Sequence, residues 1–180
     1  MTTTLAFDTA TSFGAVCALS GGGSARRTRA GDLLAAVDEL VDDPAEIDAI
    51  VVGRGPGSFT SIRIGLAVAR SLAFTLAIPV SGASTLDAFA GGVPVIDARR
   101  GEVFTVGPTV ARPEELDVAG KTLVGDGAVR YRDVFEAAGA VVPADEADAH
   151  RPNPLLLIEY AGPSIEPLYV RDPDAKPSAA

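Results

Sequence analysis

Apolar residues along this chain fall into short runs separated by glycine-rich or acidic turns, with stretches of helical spacing between them. Thr4-Leu5-Ala6-Phe7 and Ala15-Val16-Cys17-Ala18-Leu19 flank the polar segment from Asp8 to Gly14, a pattern that predicts a β-hairpin. Gly21-Gly22-Gly23 marks a second turn, and Arg26 to Arg29 predicts an exposed strand or loop. Leu33, Val37 and Leu40 recur at helical spacing behind Asp32, so a short helix over residues 33–41 capped by Asp32 is expected. Ala49-Ile50-Val51-Val52-Gly53 reads as a strand, followed by the glycine-rich Gly55-Pro56-Gly57-Ser58-Phe59-Thr60 and a helix over residues 60–76 that Pro79 ends.

A second alternation begins at Val93-Pro94-Val95-Ile96-Asp97, turns at Ala98-Arg99-Arg100-Gly101 and returns through Glu102-Val103-Phe104-Thr105-Val106. It repeats the opening order of strand, terminal Asp, glycine-bearing turn and strand, which suggests a duplicated lobe. Beyond it the pattern predicts a strand over 122–124, a turn at Gly125-Asp126-Gly127 and a helix over 128–138. A Pro-rich connector, a last strand over 167–170 and a frayed tail over 171–180 complete the reading. The chain thus divides into a lobe over 1–92 and another over 93–180.

The helix over 60–76 is apolar on more than one side. Ile62, Leu66, Ala69 and Ala73 occupy one face, while Ile64, Val68, Leu72 and Leu76 cover much of the rest. A helix of this kind must be covered twice, once by its own sheet and once by a second layer or another subunit.

Composition narrows the classes. With 47% apolar and 22% charged residues, the 180-residue chain is globular. Aromatics are 6% and Trp is absent, so small residues supply much of the core and a partner would add to a marginal monomer stability. The net charge of −9 argues against a chain that binds nucleic acid by itself, since that affinity comes mostly from neutralised phosphates. The lone Cys17 excludes an internal disulfide and reads as a buried thiol. The single histidine, His150, lies in a Pro- and Asp-rich connector and leaves no basis for a His-based triad or a zinc site. The first residues lack a basic leader, and the stretch 62–80 carries Arg63, Arg70 and Pro79, which makes it a poor membrane span. A cytoplasmic, membrane-free protein is the expectation.

The segment from Gly55 to Thr60 carries the candidate chemistry. A strand, a glycine-rich turn and a helix start bring unpaired N–H groups to one point, where an anion is favoured. Gly55 and Gly57 leave room for a phosphate or for another backbone, and Ser58 stands at the helix start. The same residues serve equally as a tight turn with Ser58 or Thr60 as an ordinary cap. Both readings stand at this level.

Leu5-Ala6-Phe7-Asp8-Thr9-Ala10-Thr11, Gly53 to Gly65, Ile78-Pro79-Val80, Asp97 to Phe104 and Pro167 to Arg171 together resemble the TsaB (YeaZ) family of tRNA threonylcarbamoyladenosine biosynthesis proteins. The resemblance implies an α/β fold of the actin-like ATPase type, with two related lobes of mixed sheets flanked by helices and the second lobe reduced. It implies a non-catalytic scaffold that pairs with TsaD, is joined by TsaE, meets tRNA only through the complex and can also form a homodimer. No cofactor of its own follows, and a nucleotide only at the partner interface. In nucleotide-binding proteins of this fold the first hairpin turn approaches phosphate and its Asp orients Mg²⁺ through water. Asp8, Thr9 and Thr11 are the matching positions here, with Ala10 where those proteins prefer Gly, so with Gly55, Gly57 and Ser58 they form a weak phosphate-loop set.

As a scaffold the chain would assemble through Leu33, Leu34, Val37 and Leu40 on the first helix and Ile62, Leu66 and Arg70 on the second. The alternative is an ATP-binding phosphotransferase or ATPase, with Asp8 and Asp97 facing one another across a cleft. A Ser or Cys hydrolase lacks a base.

Overall fold

The computed structural model describes residues 2–171. The predicted frayed tail lies outside them except for Arg171. Strands β1 (Thr4–Asp8) and β2 (Ala15–Leu19) form the opening hairpin, with Phe7 opposite Cys17. Strand β3 (Ser24–Arg27) continues antiparallel along β2, so the Arg-rich segment is an edge strand. Helix α1 (Leu33–Leu40) follows, without the predicted cap: the Asp32 side chain makes no capping hydrogen bond. Strand β4 (Ala49–Gly53) returns parallel to β1, and helix α2 (Phe59–Leu76) starts after Ser58, whose Oγ accepts from Ser61 N–H. Strand β5 (Val80–Ala83) completes a five-stranded sheet of order β3-β2-β1-β4-β5.

The second sheet repeats the first in reduced form. Strands β6 (Val93–Arg99) and β7 (Glu102–Thr105) make the second hairpin, β8 (Thr109–Ala111) lies beside β7, and β9 (Leu123–Val124) runs parallel to β6. The order β8-β7-β6-β9 mirrors β3-β2-β1-β4. A single 3-10 turn at Pro113–Glu115 is the only helical element between β8 and β9, where the first lobe has α1. The helix expected over 128–138 divides at Tyr131 into α3 (Asp126–Arg130) and α4 (Arg132–Ala137).

Period-two burial sorts these elements into layers. Leu5, Phe7, Cys17, Ile50 and Val52 face α1 and α2. Ala6 and Val51 point to the opposite side, where they meet Ile96, Ala98 and Phe104 of the second sheet together with Leu157 of α5 (Pro154–Leu157). Val95, Val103 and Leu123 face outward from that sheet and are covered by Ala128 and Phe135 of α3 and α4. Burial raises the Cys17 thiol pKa to about 11, consistent with an inert core thiol.

The last strand expected over 167–170 is absent. Helix α5 lies against β1, β2 and β4 of the first sheet. The chain after it crosses α2 and returns to the second hairpin, where Arg171 donates to the Ala98 carbonyl and pairs with Glu102. Gly162 bridges Gly82 at the edge of β5, and Leu168 N–H donates to the Arg54 carbonyl. One reciprocal pair of hydrogen bonds at Gly82 and Gly162 and one bond at Leu168 hold an extended strap in place without building a ladder.

Candidate functional site

The two hairpin turns and the start of α2 enclose a cleft of about 710 Å³. The first turn contributes Thr11 and Ser12, the glycine loop Gly57 and Ser58, and the second turn Asp97 and Arg99. Asp126 forms part of its wall, and the strap closes one side with Tyr169 and Arg171.

The expected phosphate set does not converge on this space. Asp8 is fully buried behind it: Oδ1 accepts from Ala10 N–H at 2.7 Å, and Oδ2 accepts from the Thr85 hydroxyl at 2.6 Å. Thr9 is also fully buried, its hydroxyl donating to the Ser61 carbonyl at 2.7 Å and tying β1 to α2. Gly55 is bound twice to Thr85, its N–H donating to Oγ1 and its carbonyl accepting from Thr85 N–H. Asp8, Thr9 and Gly55 are therefore structural, and the pairing of Asp8 with Asp97 across the cleft does not form. The turn's own Ala10 N–H takes one oxygen of the Asp8 carboxylate, and Thr85, which follows β5, takes the other.

Gly57 lies close to another backbone. A Cβ there would stand 2.4 Å from the Ala10 carbonyl oxygen and 2.8 Å from the Ala10 Cβ, and Ser58 N–H donates to that same carbonyl at 2.8 Å. The glycine loop is packed on the first hairpin turn. Ser58 caps α2 from the cleft rim, and of the expected set only Thr11, Gly57 and Ser58 line the cleft. The Thr11 hydroxyl is buried without a hydrogen-bond partner.

Asp126, the centre of the Gly125-Asp126-Gly127 turn, also lines the cleft. Its Oδ2 accepts from Ser12 N–H at 2.8 Å and its Oδ1 from Asp97 N–H at 3.0 Å. His150 sits behind it with its ring fully buried: Gly125 N–H donates to Nδ1, and Nε2 lies 3.0 Å from the Pro143 carbonyl. The bonding assigns the neutral Nε2–H tautomer and a structural role. Among the described residues no three His, Cys, Asp or Glu side chains come together as a metal set.

Burial raises the Asp8 pKa above 3.8; the Thr85 and Ala10 hydrogen bonds oppose the shift, and the Asp126 charge adds to it. The native state therefore holds this proton at a pH where the unfolded chain has released it. The associated stabilisation is complete below 3.8 and is lost as pH rises through the folded value. Asp8→Asn cannot ionise, so its stability relative to wild type should improve from acid to neutral pH, measured by urea unfolding at several pH values. Parallel curves for the two proteins would contradict this.

The expected interface residues divide into two groups. Leu33, Val37, Ile62 and Leu66 are buried in the first lobe's core, and Leu40 packs partly against it, so these leucines and their neighbours belong to the fold itself. Leu34 on α1 points outward, 54% exposed, and Phe74 on α2 is 89% exposed. Arg70, also on the outer side of α2, donates to the Ile165 carbonyl and pairs with Glu166 of the strap. At the start of α2, Arg63 lies over the Phe59 ring and donates to the Tyr169 hydroxyl, while Tyr169 stacks on Phe59 at 4.8 Å. Helix and strap form one continuous surface. Helix α2 alone among the described residues is long and apolar enough to cross a membrane, but its inner side fills the core.

A family model described as TsaD, tRNA N6-adenosine threonylcarbamoyltransferase, matches residues 24–130. An uncharacterized protein of Mycobacterium tuberculosis is 37% identical over 167 residues, covering 82% of this chain and 75% of that one. The tRNA threonylcarbamoyladenosine biosynthesis protein TsaB of Haemophilus influenzae is 36% identical over 122 residues, or 57% of this chain and 52% of its own. The solved structure of YeaZ from Pseudomonas aeruginosa superposes with a TM-score of 0.73 at 27% identity, covering 94% of this chain and 100% of that one. This chain belongs to the TsaB (YeaZ) family. The family's actin-like architecture accounts for the repeated strand order of the two sheets and for the cleft between their hairpins.

Proposed function

We propose that this TsaB-family chain serves tRNA threonylcarbamoyladenosine biosynthesis as a non-catalytic subunit that docks TsaD through the outer face of α1 and α2. The observation that carries the reading is the exposed Phe74 on a helix whose inner side is already complete. With the outward Leu34 of α1, it gives this face apolar side chains that a partner would cover. TsaE joins the complex, tRNA is met through it, and a second copy of the chain can use the same face. No cofactor belongs to the chain alone; a nucleotide would sit at the boundary with a partner.

The cleft is the one feature that favours an ATP-binding phosphotransferase. Against it stand Asp8 and Thr9, whose polar groups are bound internally, and Asp126, which places a carboxylate where phosphate would approach. Titration with Mg-ATP separates the two: micromolar binding with turnover would favour the phosphotransferase.

The direct test is co-purification of this chain with TsaD and TsaE from the same genome. The isolated chain, given tRNA and threonylcarbamoyl adenylate, is expected to form no modified nucleoside, and the reconstituted complex is expected to form it. Robust product from the chain alone would overturn the assignment.

A further inference from the structure

Asp126 accepts one main-chain N–H from each lobe. Ser12 belongs to the turn of the first hairpin and Asp97 to the second, and each donates to a different oxygen of the same carboxylate. Two amides that converge from separate elements make an anion site, and here a side chain already fills it. The carboxylate is pre-positioned. His150 holds the Gly125 N–H, and Gly127 lets the loop lie on β6, where a Cβ would stand 2.8 Å from the Ile96 carbonyl carbon. Asp97 is paired separately with Arg99 and Arg130, so its own charge does not compete for these amides. The neighbouring Thr11 hydroxyl is buried, lines the same space and has no partner. The donor capacity around the first turn is therefore not exhausted by the protein.

We propose that Asp126 is a tethered anion: it stands in for a small oxyanion between the two hairpin turns, latches the lobes together and closes this end of the cleft to anionic ligands. Removing the carboxylate frees both amides and removes the negative charge that repels phosphate. The site exposed by Asp126→Ala is one for a tetrahedral oxyanion.

The experiment follows the full-length protein and its Asp126→Ala variant by thermal unfolding and amide hydrogen exchange, with inorganic phosphate as the probe and chloride of matched ionic strength as control. Exchange at Ser12 and Asp97 should accelerate about tenfold or more in the variant, reflecting two lost charge-assisted bonds. Phosphate should raise the variant's melting temperature and slow the same two amides, and should leave wild type unchanged. Unaltered exchange at both positions, or equal phosphate stabilisation of the two proteins, would overturn the proposal. If Asp126→Ala does not fold, Asp126→Asn decides by exchange. Its amide can accept from one N–H but opposes the other, so faster exchange at one of the two positions supports the latch and none refutes it.

Discussion

Gly57→Ala should lower the melting temperature by about 10 °C, and Gly57→Val by at least as much. The first added carbon is sufficient, because it would stand 2.4 Å from the Ala10 carbonyl oxygen and 2.8 Å from the Ala10 Cβ. Neither neighbour is the flexible end of a side chain. The glycine loop or the hairpin turn must shift, which breaks the Ser58-to-Ala10 hydrogen bond and disturbs the start of α2, at a cost of about 3 kcal/mol or more. Gly91→Ala provides the control. Gly91 also has positive φ, at 84°, but nothing stands within 4 Å of its Cβ position, so only the backbone strain of about 1 kcal/mol applies. Equal melting temperatures for Gly57→Ala and Gly91→Ala would show that close packing on the hairpin is not what demands glycine at 57.

Phe74→Glu and Leu34→Glu should each abolish stable association with TsaD, and with a second copy, while leaving the monomer folded. Both side chains are largely in solvent in the isolated chain, so the substitutions cost the fold little. Buried in an apolar contact, an unpaired carboxylate costs about 3 kcal/mol or more, roughly a hundredfold in affinity. Leu33→Glu is the contrasting case: Leu33 has no exposure, and a charge there should prevent folding. Light scattering with circular dichroism separates the outcomes. Unchanged assembly in both outward variants would place the docking surface on another face.

Much of the fold was legible because its strands carry their own punctuation. Apolar runs ending in Asp8 and Asp97, each followed by a turn and a return strand, marked both hairpins, and Ser58 marked the start of α2 to within a residue. The short strands β5 and β8 carried too few apolar positions to be recognised, since Val80 is followed by Ser81-Gly82 and β8 spans three residues. The predicted helix over 128–138 failed at Tyr131, where the backbone leaves helical angles between two short segments.

The site was harder to read because spacing does not reveal where a side chain spends its hydrogen bonds. Asp8 and Thr9 have the residue types of a phosphate turn, yet Thr85 and Ser61, distant in sequence, take up their polar groups. Asp126 was visible only as the middle of Gly125-Asp126-Gly127. The available signal was positional: β9 repeats β4, so the loop after β9 corresponds to the glycine loop after β4 and was a place to look for cleft residues. On α1 the period groups Leu33 with Val37 and Leu40 but does not say which side of the helix meets the sheet; the sheet beneath buries Leu33 and leaves Leu34 in solvent.

The strap that crosses α2 imposes an order in time. Ile165, Glu166 and Tyr169, which satisfy Arg70 and Arg63, are translated roughly a hundred residues after the helix they complete. While those residues are still inside the ribosome, Arg70 lacks its Ile165 and Glu166 acceptors and Phe59 lacks the Tyr169 ring, so the outer side of α2 is unfinished. The finished surface exists only once synthesis has passed Tyr169. A partner that reads helix and strap together would therefore pass over chains not yet synthesised through Tyr169.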